Sequence, residues 1–471
     1  MQYNPILDTD SYKASHWKQY PPATTSMFSY IESRGGRYPQ TVFFGLQYIL
    51  KEYFARKIEP WMVEEAKDFF ATHGVPFNAE GWLYIANELE GKLPIRIRAV
   101  PEGSVVPVHN ALITIESTDP KCFWIVSWLE TQLMRVWYPI TVATHSWHLR
   151  QILWEYLEKS ADTPEAEIPF KLHDFGSRGV SSHESAGIGG MSHLVNFQGS
   201  DTVVGVQFAN HYYHHPMAAF SIPAAEHSTV TAWGREHEVD AYRNMLDQFA
   251  KPGAMVSVVS DSYDLWNAVR NLWGGDLKQQ VIDSGATLVV RPDSGVPSIV
   301  VSRVLNILDN QFGSTLNSKG FKVLNHVRVI QGDGVDRESM IDVLETALKL
   351  GFSASNITFG MGGALLQSVN RDTQKFAMKC SQVVTDGKEV AVFKDPITDP
   401  GKRSKQGRLD LIRDANGSYT TVRLANENPL PDSAMVTVYE NGEVLKEYTL
   451  DEIRRRVNAE LLEAFSFTRS K

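Results

Sequence analysis

Four short runs rich in β-branched residues organise the second half of the chain. Each ends in a polar or glycine-rich turn and leads into a helix-like segment: MVSVVS then DSYD, ATLVVR then PDSG, VRVIQ then GDGVD, and NITF then GMGG. The turns fall at Asp261, Asp293, Asp333 and Gly362, a spacing of roughly 30 to 40 residues, which is the length of a βα unit. Strands this apolar along their whole length are usually buried on both faces, which points to a parallel sheet covered by helices. The pattern predicts an α/β chain whose central part is a (β/α) barrel-like domain or a doubly wound sheet. In both architectures ligands bind at the carboxyl ends of the strands, where this sequence concentrates its acids, an arginine and its glycines.

The segment KLHDFGSRGVSS begins the same domain, because the linker-like SADTPEAEI near residues 160–168 precedes it. The flanks differ in character. Residues 1–150 mix aromatic segments with strand-like runs such as IRIRAV and ALITIES, and AMVTVYENGEVLKEYTL alternates like an antiparallel hairpin turning at ENGE. The reading is an N-terminal α+β segment over 1–167, a barrel-like catalytic domain over 168–384, and a C-terminal segment over 385–471 that packs with the N-terminal one.

Composition narrows the partners. A net charge of −9 over 471 residues gives no general attraction to nucleic acid, so any phosphate site must be a local basic cluster suited to a small anion. Two cysteines, Cys122 and Cys380, are too few for a disulfide framework. The N-terminus has no signal-peptide pattern, and the apolar stretch from Cys122 to Ala143 is broken by Glu130 and Arg135. A cytoplasmic protein without a membrane partner is expected.

Several motifs carry chemistry, each with a plainer alternative. Gly362 and Gly363 in ITFGMGGALLQ suit either a tight turn or a phosphate cradle of backbone N–H groups, and fit neither a Walker loop nor a dinucleotide fingerprint. RPDSG (Arg291, Asp293) and QGDGVD (Gly332, Asp333) are common turn formers, yet at successive strand ends they can receive ribose hydroxyls or order magnesium on a pyrophosphate. Glu226 and His227 in PAAEHST allow a general base, a phosphoryl acceptor or a structural histidine. His211, His214 and His215 invite a metal but lack a ligand set at the usual spacing. The basic residues Arg371, Lys379, Lys394, Lys402, Arg403 and Lys405 read as a solvated loop or as one closing over an anion.

TDSYK, FGLQYIL, WYPITVAT, KLHDFGSRGVSS, AGIG, VNFQGSDTV, PAAEHST, VVSDSYD, RPDSG, IQGDGVD, FGMGG and FKDP before KRSKQGRL occur in order over nearly the whole chain. In this the sequence resembles the nicotinamide phosphoribosyltransferase family, the type II branch of the nicotinate/nicotinamide phosphoribosyltransferases. The resemblance implies transfer of phosphoribose from phosphoribosyl pyrophosphate to nicotinamide, with Mg2+, with ATP as a coupled co-substrate, and with a homodimer whose active sites are shared. It implies that Phe175 and the neighbouring subunit's Tyr12 sandwich the pyridine ring and that Asp201 accepts from the carboxamide. It places Arg178 and Arg291 at the base and phosphate, Asp293, Gly332 and Asp333 at the ribose, Gly362 and Gly363 at the 5′-phosphate, and Ser257 among the substrate-binding residues. Arg34, Arg371, Lys379, Lys394 and Lys402 would meet pyrophosphate or ATP phosphates. His227 would take phosphate from ATP, oriented by Glu226 and Asp261. Ser177, where animal relatives carry an aromatic residue, and a shorter loop after Arg34 depart from the pattern. Other readings are a nicotinate phosphoribosyltransferase, another barrel enzyme of sugar phosphates, and a non-catalytic binding or signalling protein on the same fold.

Overall fold

The computed structural model describes residues 3–398 and 403–469, with only the backbone over 462–469. Two compact units result: Met1–Thr144 with His211–His215 and Asn370–Lys471, and His145–Asn210 with Pro216–Val369.

The second unit carries the repeating pattern. Its strands are β1 (Leu172–Asp174), β2 (Gly199–Ser200), β3 (Met255–Val259), β4 (Thr287–Arg291), β5 (Val327–Gln331) and β6 (Ile357–Met361), paired side by side in the order β2-β1-β6-β5-β4-β3. Every pairing is parallel. The segment 220–224 joins the two edges: Phe220 bridges Gly199 of β2 and Ala224 bridges Ser257 of β3, both in parallel. The links are made by Phe220 N–H to the Gln198 carbonyl at 2.8 Å and by Ser257 N–H to the Pro223 carbonyl at 2.9 Å. A ring of strands is thereby completed, as the (β/α) barrel-like reading expects.

Local chemistry explains the helices between strands. Pro297 opens Pro297–Phe312, where a proline's missing N–H is harmless, and Val300, Val301, Val304, Leu305 and Leu308 form the buried stripe of a helix lying on a sheet. Asp336 caps Arg337–Lys349, accepting from Ser339 N–H at 2.8 Å while Ser339 Oγ accepts from Asp336 N–H at 2.8 Å. The first AGIG glycine, Gly187, sits in the helix His183–His193, where a Cβ would lie 2.6 Å from the Phe208 ring of the next helix, so its use is close helix packing.

The first unit holds a seven-stranded sheet in the spatial order Lys388–Ala391, Phe376–Thr385, Thr24–Ser33, Ala111–Ser117, Ile95–Ala99, Val436–Glu440, Glu443–Val444. Three N-terminal strands form its middle, with two C-terminal strands on each side, and all pair antiparallel, which makes it the α+β domain built from N- and C-terminal segments. The ENGE turn is a hairpin, with Tyr439 opposite Val444 and both central residues left-handed, Asn441 at φ 48° and Gly442 at φ 89°. Among the described residues no helix is long and apolar enough to cross a membrane.

Candidate active site

The carboxyl ends of β1, β2 and β6 form an aromatic slot. Phe175 leaves β1 with its N–H bonded to the Met361 carbonyl at 3.0 Å, and its ring lies against Gly360 of β6. A Cβ on Gly360 would fall 1.9 Å from the Phe175 ring, so only glycine fits there. The Arg291 guanidinium lies 5.6 Å from the same ring centroid. His173, two residues earlier, holds its ring 5.2 Å from that of Phe175.

Asp201 follows β2. Its Oδ1 accepts from His173 Nε2 at 2.9 Å and from Ser221 Oγ at 2.5 Å. Burial pushes its pKa up, but these two bonds and the charges of His173 and Arg291 outweigh burial and hold the carboxyl below its ordinary range. It is ionised at neutral pH, and its side chain stays 45% exposed. Arg178 and Ser177 lie exposed in the short turn after Phe175.

Around His227 the geometry gathers the predicted acids. Nε2 faces Asp293 Oδ2 at 3.4 Å and Asp261 Oδ1 at 3.7 Å, while Nδ1 meets Ser262 Oγ at 3.2 Å. Asp261 Oδ2 accepts from Asp293 N–H at 3.0 Å and Ser294 Oγ at 2.5 Å, which ties the ends of β3 and β4 together. Its Oδ1 is buried and accepts no hydrogen bond among the described residues, an oxygen prepared for a cationic or donating partner. Asp293 also receives Arg291 through Nε at 3.0 Å and Nη2 at 2.8 Å. Glu226 is placed differently from the expectation. It is the N-cap of His227–Thr231 and its carboxylate is engaged by the Ser228 hydroxyl in the same turn, so the carboxylates facing the imidazole are Asp261 and Asp293. Ser257 lies buried within β3.

Gly332 stands beside the slot, with Phe175 and Arg291 within 3.1 and 3.5 Å of where its Cβ would be. Asp333 is exposed at the same strand end. At the end of β6, Gly362 caps the short helix Gly363–Leu366, and a Cβ on Gly179 would lie 3.5 Å from the Gly363 nitrogen, so three glycines leave bare backbone together.

In the first unit a cavity of about 760 Å3 is lined by Arg34, Arg371, Lys379 and Lys394. The structure thus brings together every described member of the predicted phosphate-binding set. Lys402 lies outside the described residues. Burial pulls the Lys379 ammonium below its ordinary pKa, and Arg34 and Lys394 add to that against Glu130. Such crowded like charge favours an anion. Tyr12 is 60% exposed, its ring edge-on to His16. His214 and His215 face Glu447 at 2.9 Å and Asp451 at 3.3 Å, so each is turned to a carboxylate.

His173, Ser221, Ser262 and Gly360 were not singled out from sequence. His173 lay in view inside KLHDF, but a lone histidine in a strand has no spacing that points to a partner 28 residues away.

The nicotinate phosphoribosyltransferase (NAPRTase) family profile matches residues 170–443, more than half of the chain. This chain belongs to that family. It is an enzyme of the pentosyltransferase class. Residues 4–97 match the N-terminal domain of nicotinamide phosphoribosyltransferase. Among the family's curated proteins, the nicotinamide phosphoribosyltransferase of Xanthomonas campestris pv. campestris (strain 8004) is 58% identical over 97% of this chain and 98% of its own. Two crystal structures share the fold at 16% identity. A nicotinate-nucleotide pyrophosphorylase from Pyrococcus furiosus has a TM-score of 0.62, covering 98% of this chain and 97% of its own. Human nicotinic acid phosphoribosyltransferase has a TM-score of 0.57, covering 96% and 93%.

Proposed function

We propose that this enzyme transfers phosphoribose from phosphoribosyl pyrophosphate to nicotinamide, giving nicotinamide mononucleotide and pyrophosphate, with ATP hydrolysis coupled through phosphorylation of His227. The observation that carries the reading is Asp201, an ionised carboxylate beside the Phe175 slot. An ionised carboxylate accepts from the NH2 of a carboxamide and repels a carboxylate, so the slot favours nicotinamide over nicotinate.

The remaining residues suit displacement at the ribose C1. The pyridine nitrogen attacks through its own lone pair, so the protein supplies orientation and charge stabilisation rather than a strong base. Phe175 fixes the plane of the ring, Asp293 and Asp333 receive ribose hydroxyls, and the bare backbone at Gly179, Gly362 and Gly363 admits the 5′-phosphate. Magnesium, held mainly through the substrate phosphates, would neutralise charge on the pyrophosphate leaving group. His227, half-exposed between Asp261 and Asp293, is open to a phosphoryl donor while its opposite nitrogen is held by Ser262. Arg34, Arg371, Lys379 and Lys394 would receive the anionic phosphates.

The test is to incubate the purified protein with phosphoribosyl pyrophosphate, Mg2+ and either pyridine base, with and without ATP, and to identify the product by mass. Nicotinamide mononucleotide is expected as the dominant product. Nicotinate mononucleotide alone, or no product with either base, contradicts the reading.

A further inference from the structure

We propose that His173, seconded by Ser221, is the positioning residue that presents Asp201 to the pyridine substrate and so sets the preference for a carboxamide over a carboxylate. The proposal rests on the reading of Asp201 as the group that meets the substituent of the pyridine ring.

Both protein donors to Asp201 converge on one oxygen. Oδ1 takes His173 Nε2 at 2.9 Å and Ser221 Oγ at 2.5 Å, and Oδ2 stands outside these bonds. A carboxylate offers only acceptors, so the bond to Oδ1 requires a proton on His173 Nε2. The result is a carboxylate turned to one orientation, with one oxygen satisfied and the other available to a ligand NH2.

His173 is itself held firmly. Its backbone lies in β1 between Gly360 of β6 and Gly199 of β2. A Cβ on Gly199 would come within 2.8 Å of His173 Nδ1, so glycine there gives the imidazole its space. The ring also lies 5.2 Å from Phe175 with an interplanar angle of 51°, which links the group selecting the substituent to the ring expected to stack on the base.

Electrostatics point the same way. The charged and titratable groups acting on Asp201 are His173 from β1 and Arg291 from β4, with Ser221 as the neutral donor. His173 in turn interacts with Asp174 and with the buried His193. Burial alone favours the protonated form of Asp201, and the donors reverse that balance. Without His173, Asp201 would take up a proton more readily. A protonated acid is a donor, and it accommodates a carboxylate and loses its advantage for an amide.

The experiment measures kcat/KM for nicotinamide and nicotinate across pH in wild type, His173→Phe, His173→Gln and Ser221→Ala. His173→Phe keeps a ring and removes the donor. Its nicotinamide-to-nicotinate ratio should fall by about tenfold or more, the scale of one charge-assisted hydrogen bond, and the acid limb of its nicotinamide profile should move to higher pH. His173→Gln, which restores a donor near the Nε2 position, should recover both. Ser221→Ala should move the ratio in the same direction by less. A folded His173→Phe that keeps the wild-type ratio and acid limb, or that loses both substrates equally, overturns the proposal; so does an unmoved ratio in Ser221→Ala should the phenylalanine variant not fold. A wild type that uses both bases equally overturns the reading of Asp201 as well, whereas selectivity retained in wild type and in His173→Phe overturns only the role of His173.

Discussion

His227 is poised between a hydroxyl on Nδ1 and two carboxylates on Nε2. If it carries the phosphoryl group from ATP, His227→Ala should abolish ATP hydrolysis and the ATP-dependent gain in apparent substrate affinity, while basal transfer persists. A phosphate-release assay with substrate titrations checks this; full ATP stimulation in the variant contradicts it. At this scale the sequence showed the residues whose motifs end strands, namely Arg291, Asp293, Asp333 and the glycines. It could not show how acids are shared. Glu226 stands next to His227 in sequence, but the helical turn it caps directs it to Ser228, and Asp293, 66 positions away along the chain, faces the imidazole instead. Gly360 was equally hidden, because its need for glycine arises only when the Phe175 ring lies across β6.

Elements were legible where hydrophobic pattern alone determines them. The runs of β3 to β6 are long and apolar enough to declare a parallel sheet, and the ENGE hairpin follows from two residues that tolerate a left-handed backbone. The closing segment 220–224 is held by two isolated bridges and has no such pattern. Another device invisible to pattern is Glu102, buried in the loop before Val105–Pro107, whose Oε1 accepts from Gln47 N–H at 2.7 Å at the start of a helix. Burial raises its pKa to about 7 from 4.5, against the lowering effects of Gln47, Tyr213, Gly45 and Arg456. The folded form therefore binds this proton more tightly than the unfolded form. The stabilisation is full below about pH 4.5 and is lost as pH rises to about 7, a fall of about 3 kcal/mol from this one group. Glu102→Gln keeps the neutral state at every pH. Chemical denaturation at pH 5 and pH 8 should show a smaller loss of stability in the variant, which becomes the more stable protein at pH 8. An identical pH dependence in both proteins contradicts this account of Glu102.

At the scale of the molecule, the two-part architecture was legible because barrel-like and antiparallel patterns occupy different stretches of sequence. The flanking of three N-terminal strands by C-terminal ones in one sheet is a long-range pairing, and such pairings leave no local signature. Assembly is the matching question for function. Tyr12 is 60% exposed, with its ring edge-on to His16 and the Lys13 ammonium 5.3 Å from its centroid, and the proposed shared site would use that ring in the neighbouring subunit. Mixing Tyr12→Ala protein with Asp293→Ala protein should then restore activity through heterodimers with one intact site, up to about half of the heterodimer population's sites; no recovery after verified subunit exchange contradicts a shared site. The central claim, that this family member acts on nicotinamide because of Asp201, is tested most directly by kcat/KM for nicotinamide and nicotinate in wild type and Asp201→Ser. At about 4 Å and an effective dielectric near 20, an ionised Asp201 repels a substrate carboxylate by roughly 4 kcal/mol, about three orders of magnitude in relative rate. The account predicts a strong wild-type preference for nicotinamide that collapses toward nicotinate in Asp201→Ser. Equal use of both bases by wild type, or a ratio that does not move in the variant, would contradict it.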